Sequence, residues 1–486
     1  MRDLLERAGY SEPAVCARLS LNAICDFKIV GNETPFDPDI PDGAALLTRL
    51  FLEGGYVTEE QICRLLGDGA LEILLGLGLV MPDPPDAEQW SATALLYPTR
   101  GLHIASDRAH NADGSPFTSP PDIVYPAIIP NTDLFLSLLP GTRCGAFLDL
   151  CCGTGIAALV AARQSERSWA TDIASRSTHF TEFNRRLNGI ANMTVAESDV
   201  YAAVAGQTFD RIAVHPPYVP VFKQQWIFDS GGEDGEQVTR RVVMGLPEHL
   251  RPGGRLYCLA MGSDRKQPFE LRLREWLGGR ESEFDVGFFL RKTLDPPEYA
   301  ARSVLARNGS AEEVRAFQAQ FRHLEIRSLV YGLIVIQRRE ALRATFTVRR
   351  QRGEGVGQPE AEWLMAWETA AARSDIVDRI LQLRVTAPAA CQLKTLHQLQ
   401  GGEWAPSDYA LSPEHPFPME SKTQPAIAQM LARCDGSRTA REHLEELKAE
   451  GLFHPDTPPG AFAELLKTMI SGGFLEIEGH RLPPAP

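Results

Sequence analysis

Four short runs in the first half of the chain end in residues that can do chemistry, and they follow one another in order. The first is Ala146-Phe147-Leu148-Asp149-Leu150-Cys151-Cys152-Gly153-Thr154-Gly155. Its apolar residues lead through an acid to a Gly-x-Gly turn, and the Ala-, Leu- and Val-rich stretch Ile156 to Arg163 reads as a helix behind it. That pattern predicts a buried parallel strand feeding a tight loop and a helix N-terminus. Glycine in such a loop lets backbone approach a ligand where a Cβ would collide. Alone it is a weak signal, because structural turns share it. The second run, Trp169 to Ile173, carries Asp172 about 20 residues beyond the glycines, where an acid can accept hydrogen bonds from a ribose diol. Asp199 closes the third run, Met193 to Val200. The fourth, Phe209 to Tyr218, runs into His215-Pro216-Pro217-Tyr218, whose two prolines make a rigid turn. Polar groups at four successive strand ends predict a pocket along the carboxyl edge of an open α/β sheet.

The elements around these runs alternate as such a sheet requires. Helices are predicted over Leu134 to Leu139, Glu236 to Leu250 (with a break near Gly245-Leu246-Pro247), Phe269 to Leu277 and Glu312 to Phe321. Strands are predicted over Arg255 to Met261, Phe284 to Leu294 and Ser328 to Gln337. The fold class expected is α/β: a Rossmann-like doubly wound sheet with flanking, mainly helical, winged-helix-like N- and C-terminal domains.

The order of motifs resembles the class I S-adenosylmethionine-dependent methyltransferases. It is most similar to the branch with an Asn-Pro-Pro-Tyr motif, which includes glutamine N5-methyltransferases and base N-methyltransferases, over residues 125 to 340. The resemblance implies S-adenosyl-L-methionine as cofactor. It implies that Asp149 and Gly153 lie beside the methionine part, that Cys151 belongs to the same cofactor-binding turn, that Gly155 starts the helix, and that Asp172 holds the ribose. Asp199 would contact the adenine amino group. His215, at the edge of the cofactor, would face the methyl acceptor with Pro216, Pro217 and Tyr218. His215 and Tyr218 are thus the candidate catalytic residues. Two positions depart from the pattern: Cys151 stands where the family has its first glycine, and His215 where it has asparagine. A neutral imidazole nitrogen accepts one hydrogen bond as the amide does, and unlike the amide it can take a proton near neutral pH. The acceptor atom is therefore open between nitrogen and oxygen.

The remaining chain supplies context. At 486 residues more than one core is expected. We expect a helical winged-helix-like domain over 1–91 and a strand and loop connection over 92–140. The cofactor-binding domain is expected over 141–350, and a helical domain with a winged-helix-like end over 360–486. In the first of these Ala44 to Phe51 is a helix ended by Gly54-Gly55, and Thr58 caps a second that stops at Gly67-Asp68-Gly69. Ala92 to Tyr97 and Leu102 to Ser106 read as a hairpin, and Asn111 to Pro121 as a mobile loop. Thr132 and Asp133 serve either as a helix N-cap or as cofactor contacts. Beyond Tyr218, Val219 to Gly232 holds Phe222, Trp226 and Phe228 beside Ser230-Gly231-Gly232. It reads either as a loop closing on a planar acceptor or as surface with buried anchors. Arg352 to Gln358 reads as a linker, Trp363 to Leu383 as helical, and Ala405 to Thr423 is rich in Pro and Ser. Later come helices over Pro425 to Cys434, Ala440 to Glu450 and Ala461 to Ile470, then a strand over Phe474 to Glu478. This end is assigned to dimer contact, substrate selection or partner binding.

A formal net charge of −14 argues against an extended nucleic-acid surface. No apolar run of membrane-spanning length and no secretory leader is visible, and nine scattered cysteines show neither C-x-x-C nor zinc spacing, so a cytoplasmic setting without a metal is expected. Three functions remain open. The first is methyl transfer to a nitrogen or oxygen of a small molecule or peptide. The second is methylation of a protein glutamine or a nucleic-acid base. The third is a non-catalytic cofactor-binding scaffold.

Overall fold

The structure is a computed structural model describing all residues except 29–35, 83–87, 109, 112–114, 116, 223–229, 354–356, 390 and 484–486. It divides into two compact units, Met1–Gly262 with Ala300–Glu325, and Ser263–Tyr299 with Ile326–Pro486.

The first unit is built on five strands: β1 (Cys144–Leu150), β2 (Ser165–Asp172), β3 (Met193–Glu197), β4 (Phe209–Val214) and β5 (Leu250–Asp264). They run parallel in the order β5-β4-β1-β2-β3. Four helices alternate with or precede them: α1 (Pro130–Ser137), α2 (Ile156–Ala161), α3 (Ser175–Leu187) and α4 (Gln237–His249). Phe147, Leu148 and Leu150 on β1 are buried, as are Ile212, Ala213 and Val214 on β4. Each large apolar side chain so buried contributes about 1.5–3 kcal/mol, and on β4 only Asp210 and Arg211, near its start, are polar and part-exposed. The chain winds outward from β1 to β3, then returns to place β4 on the other side of β1. The carboxyl ends of β1 and β4 therefore flank the switch point, where open α/β sheets bind ligands. Helix α4 continues through Pro247 without the expected break.

At the N-terminus, Gly43–Thr48 continues through Arg49–Glu53 and ends at Gly54 (φ 68°). Thr58 caps Glu59–Leu66 reciprocally with Gln61, at 3.2 and 3.0 Å. A third helix, Ala70–Gly76, precedes strand Val80–Pro82, and Val57–Thr58, Gln89–Ala92 and Val80–Pro82 form a small antiparallel sheet. The expected hairpin follows as Ala94–Thr99 and Leu102–Asp107, turning at Arg100 and Gly101, both with positive φ (50° and 70°). Two successive left-handed residues match the twist of the flanking strands. The expected mobile loop lies partly outside the described residues.

In the second unit, Phe284–Leu294 pairs antiparallel with Ser328–Arg338 and parallel with Thr347–Gln351. The last of these strands was not foreseen. Helices Gln358–Ala371, Ile376–Gln382, Pro425–Arg433, Ala440–Ala449 and Pro459–Ser471 accompany a sheet of Asp435–Thr439, Arg384–Thr386 and Glu476–Ile477. The Pro- and Ser-rich stretch falls in a long antiparallel ribbon, Cys391–Gln400 with Glu403–Pro413, flanked by Ser421–Thr423. Among the described residues no helix is long and apolar enough to cross a membrane.

Candidate cofactor and acceptor site

The turn after β1 is locked from three sides. Asp149 Oδ2 accepts from the backbone N–H of Ala158, 3.1 Å away in the first turn of α2. The hydroxyl of Thr181 on α3 donates to the carbonyl of Gly153 at 2.9 Å. Asn184, fully buried on α3, donates to the carbonyls of Thr154 (3.0 Å) and Ala105 (3.0 Å) and accepts from the N–H of Ala105 (2.7 Å). One amide thus fastens the glycine turn and the hairpin to the same helix. Gly155 has φ +76°, and a Cβ there would come within 2.5 Å of Thr181 Cγ2, so the position excludes side chains.

Cys151, in the place of the family's first glycine, also lies in the left-handed region, at φ +56°. For a residue with a Cβ this costs roughly 1–2 kcal/mol. Cys151→Gly is therefore expected to raise stability by about 0.5 kcal/mol, after the extra unfolded-chain entropy of glycine is subtracted. Thermal unfolding would register this as a small upward shift in Tm, and a clear drop would contradict it. Burial pushes the thiols of Cys151 and Cys152 well above their ordinary range, so neither is a nucleophile at neutral pH.

Asp172, at the end of β2, accepts from the N–H of Gly153 (3.0 Å) and of Ala174 (3.0 Å). Burial raises its pKa, and the N–H donors oppose the rise. These bonds aim the carboxylate while leaving it lone pairs for a ligand. The carboxyl of Asp149 is buried further, and desolvation pushes it up to about 8. A folded-state pKa above the unfolded value means that its stability contribution is present below about pH 4. That contribution is lost as pH rises to about 8, with a slope of at most ~1.4 kcal/mol per pH unit. Urea unfolding across pH 5–8 is expected to show this loss in wild type and not in Asp149→Asn. Parallel pH profiles for the two proteins would refute the assignment.

After β4, His215 lies between two rings, Phe135 at 5.2 Å and Tyr218 at 5.5 Å between centroids, each at 27°. Its Nε2 is buried without a hydrogen-bond partner among the described residues. Desolvation lowers the imidazole pKa to about 4. This corrects one expectation: burial keeps the ring neutral at pH 7, so it does not take a proton near neutrality.

These groups meet in one cavity of about 430 Å³. Asp149, Cys151, Gly153, Asp172, His215, Pro216, Pro217 and Tyr218 all line it. Gly155 does not; it shapes the turn. Asp199 lies outside this lining and binds Arg241 at 2.7 Å, which lowers its pKa, so its carboxylate is engaged by a guanidinium. Phe222 lines a different cavity, and Trp226 and Phe228 fall outside the described residues. Helix α1 begins at Pro130, earlier than expected, so Thr132 and Asp133 sit in its first turn and not at its cap. Thr132 lines the cavity, whereas Asp133 pairs with Arg100.

Sequence reasoning missed the opposite wall. Val124, Tyr125, Asn131 and Phe135 contribute to it, and the Asn131 side chain reaches the Tyr218 hydroxyl at 3.4 Å. Asp107, the last residue of the hairpin, holds this wall by accepting from the N–H of Val124 (2.8 Å) and pairing with Arg176 (2.7 Å). A buried acid ending a strand was the available signal.

The methyltransferase small domain family matches residues 127–283. A ribosomal protein uL3 glutamine methyltransferase of Bradyrhizobium diazoefficiens is 30% identical over 165 residues, covering 30% of this chain and 51% of that protein. A putative protein N5-glutamine methyltransferase of Methanocaldococcus jannaschii is 30% identical over 142 residues, 28% of this chain and 70% of that protein. A release factor glutamine methyltransferase of Xylella fastidiosa is 33% identical over 119 residues, 22% and 43% of the two chains. The chain thus spans about half the length of most of these relatives. The switch-point cavity and these matches define a class I S-adenosylmethionine-dependent methyltransferase domain. The chain belongs to the branch of that class that contains the glutamine-N5 and base-N methyltransferases.

The cavity residues fit the family's cofactor. Its volume is within the roughly 300–1,000 Å³ of ordinary small-molecule sites. A Cβ placed on Gly153 would meet nothing within 4 Å, so the backbone there faces open space. Asp172 offers a carboxylate for a diol, and His215 carries an unsatisfied nitrogen in the wall of the same cavity.

Proposed function

We propose that the protein transfers a methyl group from S-adenosyl-L-methionine to a nitrogen or oxygen of a small molecule or peptide. The observation that carries this reading is the buried, unpartnered Nε2 of His215 in the same cavity as Asp172 and the glycine turn. The cofactor supplies a methyl group already activated on its sulfonium, so the protein has chiefly to bind and align. Asp172 and the Gly153 backbone hold the cofactor. The neutral ring of His215 accepts a hydrogen bond from the acceptor's N–H or O–H and so turns its lone pair toward the cofactor, and the proton that the methylated atom sheds passes to water and not to the ring. Pro216 and Pro217 stiffen the turn that carries this group, and Tyr218 offers a face to a planar acceptor.

Protein glutamine is the second reading, favoured by the names of the relatives; a nucleic-acid base is disfavoured by the net charge of −14. The two flanking helical regions, each with three helices or more and a three-stranded antiparallel sheet, are read as winged-helix-like domains. Their acidic chain assigns them to substrate selection or self-association and not to DNA. The test is incubation with methyl-labelled cofactor and separate pools of small metabolites, tryptic peptides, intact ribosomal proteins and nucleic acid. Label in the first two pools supports the main reading, and label confined to intact protein supports the second. Cofactor binding without label in any pool would overturn both in favour of a scaffold.

A further inference from the structure

Between strands Phe284–Leu294 and Ser328–Arg338 the chain inserts two helices, Pro296–Leu305 and Ala311–His323, and Ala300–Glu325 belongs to the first unit. The second helix opens with a capping box, in which Ser310 and Glu313 bond reciprocally at 3.2 and 2.9 Å. It buries Phe317 and Phe321.

From this helix the Nε2 of Gln320 donates to the carbonyls of Val221 (3.2 Å) and Glu233 (2.8 Å). Those carbonyls belong to the two legs of the loop that follows His215-Pro216-Pro217-Tyr218. The legs also pair with each other, Val221 N–H to Gly232 at 3.1 Å and Gly231 N–H to Val219 at 2.9 Å. One side-chain amide therefore joins the inserted helix to both ends of the loop. Phe222 faces Phe317 at 6.2 Å, and a second cavity of about 320 Å³ opens there, with Pro220, Val221, Phe222, Val304 and Phe317 on its walls beside the polar Ser303, Arg307 and Glu313. Val219 lines both this cavity and the first, so the stretch from Pro216 to Phe222 is a shared wall.

We infer that the second cavity is an acceptor subsite that takes a flat apolar or aromatic group carried beside the methylated atom, and that Gln320 is a positioning residue for its loop wall. The inference rests on the methyltransferase reading, since that is what makes the wall next to His215 the acceptor side. Six apolar side chains line the subsite beside Ser303, Arg307 and Glu313, so it binds chiefly by shape and burial and selects for size, with the polar groups fixing orientation.

The experiment uses indole as the probe, read by amide hydrogen exchange, with S-adenosylmethionine binding measured on the same samples. At ten times its dissociation constant indole is expected to slow exchange in residues 219–222 and 303–317 of wild type about tenfold. Val304→Trp, which fills the cavity, should lose this protection and keep cofactor binding; Val304→Phe serves if tryptophan prevents folding. Gln320→Ala should speed exchange in residues 219–222 and 230–233 and weaken indole, and Gln320→Lys, which keeps a donor of similar reach, should restore both. No indole protection, or equal protection in the filled variant, with cofactor binding intact, overturns the subsite alone. Failure of wild type to bind the cofactor overturns the methyltransferase reading and the acceptor assignment with it.

Discussion

His215→Phe is expected to leave S-adenosylmethionine affinity within about threefold while lowering methyl transfer by roughly 100-fold or more, the size of losing one well-placed hydrogen-bonding group at a reacting centre. Phenylalanine keeps a ring to pack between Phe135 and Tyr218 and deletes only the nitrogens. The buried Nε2 has no partner among the described residues, so wild type carries the cost of desolvating it. On the proposed reading an acceptor recovers that cost by donating to it, so the effect is expected in turnover and not in cofactor binding. Because burial holds the ring near pKa 4, its protonation should not shape kcat/KM between about pH 5 and pH 8. An acid limb near pH 6.5 that vanishes in the variant would show instead that His215 titrates as a base. Its contribution to folding has the opposite sign to that of Asp149. A depressed imidazole pKa gives stability that is present above about pH 6.5 and lost as pH falls toward 4.

Asn184→Ala should be among the most destabilising substitutions in the first unit, by about 3 kcal/mol. It strands the N–H and carbonyl of Ala105 and the carbonyl of Thr154, and each buried unsatisfied group costs roughly 1–3 kcal/mol, partly relieved by relaxation. For a unit of this size the fall in Tm is about 5–10 °C. Cofactor affinity should fall too, because Thr154 belongs to the turn that lines the cavity. A shift below about 1 kcal/mol, within the range of ordinary surface substitutions, would mean that the hairpin and the turn are held by other contacts.

What was legible in the sequence follows from how the site is made. Strand interiors at β1 and β4 must be apolar on both faces, so a polar residue at the carboxyl end stands out, and the order Asp149, Asp172, His215 could be read directly. The same reasoning gave no access to the opposite wall. Val124, Asn131 and Phe135 reach the cavity through a tether at Asp107, a contact across 17 residues that leaves no periodic trace. Asp199 looked equivalent to the other acids because it occupies the same kind of position; its partner Arg241 lies 42 residues on and could not be paired in advance. The helix Pro296–Leu305 was missed because its Pro-Pro start reads as a turn, although proline suits a first helical turn where no N–H is needed. The ribbon Cys391–Gln400 with Glu403–Pro413 was hidden for another reason. Most of its first strand is exposed on both faces, so the alternation that marks a half-buried strand is absent.

On the proposed reading the switch-point cavity holds S-adenosylmethionine through Asp172. Calorimetric titration of wild type and of Asp172→Ala tests it most directly. Wild type is expected to show saturable one-site binding, weakened at least ~100-fold in the variant, since two charge-assisted hydrogen bonds to a ribose diol are lost at about 1.5–3 kcal/mol each. Equal affinity in the two folded proteins, or no binding by folded wild type, would contradict it.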